Sequence, residues 1–339
     1  MRTQILNASI LARCVVCLAI VGFIPAYGFA QNAANTSGNK FFSSEEQRAS
    51  SLNASSVQPS ETTVLTIDPN ILVLRAIHQS VFGPPIACKV FQSSRAYNQQ
   101  VVVSGEYKAN GGGTGQFRYT ARVSSGETTL DTIQVSDGRL MYTQVGVNEP
   151  PRKVYIEKVR EAVGPALAYA NDRPEVSMYL AIGGHPELLR NLYHRYLWNK
   201  GVEGKLGGVE VWQLVGRLRT EPPKIAGNAR MDHEAVAAIT PDTKLPEIVR
   251  LTLGRSAAMA YFPYMVEYYR RTPNPDDPPD TLEPVSTLWH TDATTSVNLS
   301  EKDFVYKVLD TVDRIDDETG LYKPQATISV AGLPFLPLK

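Results

Sequence analysis

The chain has 339 residues, 43% of them hydrophobic and 20% charged, with 34 Lys and Arg against 34 Asp and Glu. That length and balance suit a soluble protein with one large domain or two ordinary ones. The absence of net positive charge argues against the basic footprint that nucleic acid or an anionic membrane surface demands.

In chain order, residues 1–30 are expected to be a secretory signal peptide. Arg2 and Arg13 precede an apolar run from Cys14 to Tyr27, and Gly28-Phe29-Ala30 sets small residues before a cut at Gln31. The run is shorter than the ~20 residues a spanning helix needs, so no transmembrane span is expected after cleavage. Only Cys88 then remains, which excludes an intramolecular disulfide; with no cationic cluster nearby it reads as a small buried hydrophobe. Residues 31–64, rich in Ser and Asn, read as a disordered linker.

Asp68-Pro69 opens a helix, Asp as N-cap and Pro at the first helical position. Ile71, Leu74, Ile77 and Val81 recur at helical spacing, and Gly83-Pro84-Pro85 stops it. His78 lies on this mostly apolar face and reads as a satisfied core histidine. A strand meander follows. Phe117, Tyr119, Ala121 and Val123 share one parity and Arg118, Thr120 and Arg122 the other, the period-two pattern of a half-buried strand. Ser124-Ser125-Gly126 and Asp137-Gly138 supply hairpin turns.

Beyond Pro150-Pro151 the pattern becomes helical from Val154 to about Asn171 and again from about Glu175 to Ile182. Gly183-Gly184-His185-Pro186 breaks it, and a third helix follows with Leu188, Leu189, Leu192 and Tyr193 in one broad stripe. Strands resume at 209–218, 247–255, 261–271 and 285–291, separated by polar excursions at 220–244 and 272–284. Residues 298–306 read as a turn leading to a last strand, the acidic run Asp310, Asp313, Asp316, Asp317 as a solvated helix face, and 326–339 as an irregular tail.

No zinc-ligand spacing, nucleophile elbow, P-loop or dinucleotide fingerprint is present, so no catalytic residue, metal or cofactor is assigned. A carboxylate pair of the glycosidase kind carries no local signature and stays open as an alternative.

The order of elements resembles the periplasmic lipoprotein-carrier superfamily, the outer-membrane lipoprotein-sorting proteins of LolA/LolB and LppX type. The segments that carry the resemblance are Val135-Ser136-Asp137-Gly138-Arg139-Leu140-Met141-Tyr142, Gly183-Gly184-His185-Pro186-Glu187-Leu188-Leu189, Gly208-Val209-Glu210-Val211-Trp212-Gln213-Leu214, Leu245-Pro246-Glu247-Ile248-Val249-Arg250-Leu251 and Phe304-Val305-Tyr306. The chain departs from that pattern at Met141, where Trp is usual, and in its longer excursions. The resemblance implies an α+β fold, mainly antiparallel β, across 65–325: an incomplete, half-open β-barrel with helices packed in its open side as a lid. It implies an exported protein of the periplasm or cell envelope that binds a lipid or a lipidated protein. Candidate wall residues, chosen on parity and stripe, are Phe117, Tyr119, Val123, Leu189, Leu192 and Tyr193, then Trp212 and Trp289. The rival reading is a non-catalytic structural or interaction protein with a filled core, whose Tyr-rich run Tyr261 to Tyr269 forms a binding edge. A further alternative is a hydrolase with unrecognised carboxylates.

Overall fold

The computed structural model describes residues 58–64, 67–96, 99–147, 149–169, 171–219, 245–272, 281–307 and 314–322. The signal segment, most of the linker, the excursions at 220–244 and 273–280, Asp310, Asp313 and the tail lie outside the described residues.

Chain order is β1 (Gln58–Val64), α1 (Pro69–Phe82), β2 (Ile86–Ala96), β3 (Gln99–Ala109), β4 (Gln116–Ser125), β5 (Thr128–Asp137), β6 (Leu140–Val145) and β7 (Arg152–Tyr155). Then come α2 (Ile156–Val163), α3 (Pro174–Ser177), α4 (Gly184–Arg195), β8 (Tyr196–Leu206), β9 (Val209–Leu218), β10 (Ile248–Gly254), β11 (Pro263–Arg271), β12 (Leu282–Thr294) and β13 (Asp316–Asp317). All the strands join one sheet in the order β1-β8-β9-β10-β11-β12-β2-β3-β4-β5-β6-β7-β13. Every pairing is antiparallel except β13 on β7. The sheet does not close, since β1 and β13 stand at opposite edges.

Two meanders therefore lie side by side, β2 to β7 and β8 to β12, and the β12–β2 pairing stitches them together. Helix α1 carries the chain from β1 at one edge to β2 at the centre. It starts as its sequence dictates: the Asp68 carboxylate accepts from Asn70 N at 2.9 Å and Pro69 takes the first position.

On the inner face Phe117, Tyr119, Ala121 and Val123 of β4 are buried, as the alternation predicts. They share one core with Val101, Val103 and Tyr107 of β3, Leu214 of β9, Leu251 of β10 and Val266 of β11. The other half of that core comes from Leu72, Val73, Ala76 and Ile77 of α1 and Leu189 and Leu192 of α4. At ~25 cal/mol per Å² of apolar surface removed from water, this layer is the main term holding helices to sheet.

Several expectations need correction. The end of the predicted linker forms β1, paired with β8. The first helical region after Pro151 opens as strand β7, with α2 starting only at Ile156. The turn near Ser300 is a short 3-10 helix closed by a Ser300–Asp303 capping box, and no strand follows it through Lys307. Asp316 and Asp317 form β13 rather than a helix face, because their backbone groups pair with β7. The Tyr-rich strand β11 is no edge: β10 and β12 flank it and use both rows of its backbone groups. His78 is satisfied, at 3.2 Å from the Asn171 carbonyl, but only half-buried. Cys88 is buried, and loss of solvent pushes its thiol up, which keeps it unreactive.

Candidate functional site

The site is built where the start of α4 meets the inner face of the sheet. Gly183, the N-cap, sits at φ 72° and ψ 168°, backbone that only glycine adopts readily. Its neighbours also need the missing side chain, since a Cβ would lie 2.3 Å from Phe117 Cζ and 2.5 Å from Met141 Sδ. Glu187 then reaches back one helical turn, as in a capping box, and accepts from Gly183 N at 2.9 Å. Gly184 N donates to Gln134 Oε1 of β5 at 3.0 Å, and Gln134 Nε2 donates to Thr143 Oγ1 at 3.1 Å. Two orphan amides at the helix start are thereby satisfied inside the protein.

Burial raises the Glu187 carboxyl above the usual range, opposed by the Arg190 guanidinium, the Gly183 amide and the Tyr322 hydroxyl. Tyr322 donates to Glu187 Oε2 at 3.3 Å, and Arg190 lies over its ring. The segment 314–322 thus straps the helix start to the β7 edge, where Thr319 Oγ1 accepts from Tyr155 N at 2.9 Å. Tyr322→Phe is expected to cost about 1 kcal/mol, the net worth of one long hydrogen bond to a charged acceptor, in urea unfolding at neutral pH. No measurable loss would mean that the strap is held by its backbone alone.

One residue after the Gly-Gly pair, the His185 ring stacks on Tyr107 with centroids 3.8 Å apart and meets Phe262 edge-on. Its Nε2 lies 3.0 Å from Nε2 of His290 on β12. His290 Nδ1 donates to the Pro263 carbonyl. Both imidazoles are held well toward the neutral form: desolvation is the main cause for each, reinforced for His185 by its neighbour His290 and opposed for His290 by the Pro263 carbonyl.

His185 forms part of the wall of a cleft between the end of α1, the ends of β2 and β3 and the β10–β11 connection. Ile86, Tyr107, Ala109, Met259 and Phe262 supply its apolar surface, and Gln79, Ser80 and Thr295 its polar groups. The cavity volume is about 40 Å³. One water needs about 10–15 Å³ on this measure, so the cleft holds about three water-sized groups. Tyr261, also on the wall, has φ 62°, a conformation that L side chains rarely adopt. Its amide donates to Gly254 O at 2.8 Å, its hydroxyl accepts from Arg75, and its ring stacks on Trp212 at 5.2 Å. Backbone strain of this kind gathers where the surrounding structure fixes a site.

Phe117, Tyr119, Val123, Leu189, Leu192 and Trp212 all fall in the one core beneath the helices, and half-buried Tyr193 packs against it. Trp289 does not join them. It alternates with Leu288 and His290, so it points to the outer face, where it stacks on Phe91 with centroids 6.1 Å apart. The functional side chains that sequence reasoning passed over are His185, His290, Gln134 and Glu187.

On the outer face, strands β3 to β6 form an open dish of about 530 Å³. Among its charged groups Arg122 and Asp131 bind each other at 2.8 Å, and Glu106 has Lys108 at 3.9 Å. Among the described residues no group of three or more His, Cys, Asp or Glu could hold a metal ion. None of their helices is long and apolar enough to cross a membrane.

No protein-family model matches the chain, and no curated protein matches it. Among solved structures it is similar to a LolA superfamily protein from Nitrosomonas europaea, at 12% identity over 71% of this chain and 99% of that one, TM-score 0.27. An outer membrane lipoprotein-sorting protein domain from Vibrio parahaemolyticus matches at 12% identity over 69% and 95%, TM-score 0.27. A DUF1329 family protein from Desulfovibrio piger matches at 8% identity over 71% and 98%, TM-score 0.27. The first two bear names from the superfamily that the sequence resembles; at such depth the likeness carries no further weight, and the fold rests on its own strand order and register.

Proposed function

We propose that the chain is an exported envelope protein that holds the acyl chain of a lipid, or of a lipid-anchored partner, between the inner face of the sheet and helices α1 and α4. The supporting observation is the continuity of the apolar layer. The inner rows of the sheet and the buried faces of both helices form one cluster, and that cluster meets the surface at the cleft beside His185. Each methylene taken from water contributes ~0.8 kcal/mol, so a long chain lodged there gains enough to cross an aqueous compartment with its carrier. In this reading the helices serve as a lid. A cleft of about 40 Å³ admits only the end of a chain, so uptake requires α1 and α4 to move off the sheet. No catalytic role is proposed: the buried carboxylate Glu187 is already engaged by Gly183, Arg190 and Tyr322.

The small free volume favours a second reading, a non-catalytic interaction protein with a filled core. Native mass spectrometry of the purified mature chain, with titration by a pyrene-labelled long-chain alcohol, separates the two. Saturable one-to-one uptake, competed by unlabelled lipid, is the expected result. Repeated recovery of bare protein without uptake would sink the carrier reading and leave the second.

A further inference from the structure

Hydrogen-bond bookkeeping at the histidine pair fixes more than a contact. A backbone carbonyl only accepts, so His290 Nδ1 carries the proton that it gives to Pro263 O. The neutral His290 ring therefore presents a bare Nε2. The 3.0 Å approach of the two Nε2 atoms then requires the proton to sit on His185. A neutral His185 with its proton on Nε2 has an unprotonated Nδ1, a hydrogen-bond acceptor. His185 is 7% exposed and lines the cleft, and among the described residues no hydrogen bond reaches its Nδ1. It cannot turn over to offer a donor instead, because Tyr107 stacks beneath it and His290 holds its far edge.

We propose that the cleft is the head-group site of the carrier and selects amphiphiles whose polar end donates a hydrogen bond, an alcohol or a primary amide, which His185 Nδ1 accepts. The proposal rests on the carrier reading and adds to it the chemical class of the ligand. The apolar wall of Ile86, Ala109, Met259 and Phe262 takes the first carbons next to the donor. A carboxylate is refused, because two acceptors would face each other and the pair is held neutral. An ether or ester of the same length loses the hydrogen bond while keeping the apolar contacts. The groups facing the pair are Tyr107 below it, the Pro263 carbonyl and the Phe262 ring, and none of these supplies a charge at neutral pH.

The test compares 1-decanol, decyl methyl ether and decanoate on the mature chain at pH 7.5, read by tryptophan fluorescence and calorimetry. The alcohol is expected to bind about two- to tenfold tighter than the ether, the range of one net hydrogen bond, and decanoate weaker than both. In His185→Phe the difference between alcohol and ether should vanish while ether binding stays. Nitrogen NMR of the wild-type chain should show a proton on Nε2 of His185 and none on its Nδ1, a result that needs no variant to fold. Equal binding of alcohol and ether, tightest binding of decanoate, or a protonated Nδ1 overturns the head-group site and leaves carriage standing. Failure of all three compounds to bind overturns carriage and the head-group site together.

Discussion

Alanine at Gly183 should destabilise the protein by about 4 kcal/mol. Two costs combine. Backbone at φ 72° and ψ 168° is nearly closed to L residues, a penalty of about 1–3 kcal/mol. The new methyl would also stand 2.3 Å from Phe117 and 2.5 Å from Met141, and overpacking of this kind costs about 1–3 kcal/mol. Neither neighbour can yield easily, since Phe117 is 3% and Met141 2% exposed. Gly207→Ala makes the control. Gly207 has φ 54° with open space around its Cα, so only the backbone penalty applies, about 1–2 kcal/mol. Guanidinium unfolding of both variants decides the matter. If Gly183→Ala cost no more than Gly207→Ala, the close approach of α4 to β4 and β6 would be wrong.

Stability should also fall by about 3 kcal/mol or more between pH 6.5 and pH 4, a loss that begins above the range in which ordinary carboxylates titrate. Desolvation, followed by the Arg190, Arg219 and Arg195 guanidiniums, pushes His194 down to about 4. Such a group is neutral in the folded chain across that window but takes up a proton once unfolded. Acid therefore favours unfolding from pH 6.5 downward until the folded value is reached. A shift of about 2.5 units corresponds to about 3 kcal/mol. His185 and His290 act in the same sense, for burial lowers both. Glu187 opposes them: its raised folded value favours folding at the acid end and costs stability as pH climbs above the unfolded carboxylate value. The lowered aspartates Asp131, Asp303 and Asp317 lose their contribution only below about pH 4. Urea midpoints at pH 7.5 and 4.5 should separate clearly in the wild type and draw together in His194→Phe. A wild-type midpoint unchanged across this range would show that the histidines are hydrated.

Local features were legible wherever one stretch of chain carries its own cause. The Asp68-Pro69 start, the alternation of β4, the Asp137-Gly138 turn and the Gly183-Gly184 break all stand where sequence places them. Strand β8 escaped because Asn199, Gly201 and Gly204 interrupt any apolar alternation; it owes its form to pairing with β9. Strand β2 escaped because a short apolar run around Cys88 fits a loop equally well. The core residues followed from parity, and Trp289 was misplaced because no sequence pattern fixes which face of β12 turns inward. His185 and His290 stand 105 residues apart, and no spacing announces such a pair. Only the sheet order, with β12 brought beside β2, puts them in contact.

That same order sets a timetable for assembly. Within each meander neighbouring strands pair with their neighbours in sequence, at small loop-closure cost. The seam is different: Ser94 on β2 bonds Ser286 on β12 across 192 residues, with Gln92 completing the buried polar knot. A chain made from its N-terminus completes β2 to β7 long before β12 exists. Until then β2 is an open edge, with unpaired backbone groups and Val90 beside them on an apolar face, the kind of strand that recruits other chains. Long-range closure of this sort is also slow. The half-made protein is therefore most exposed to misassembly at the line that becomes the middle of the finished sheet.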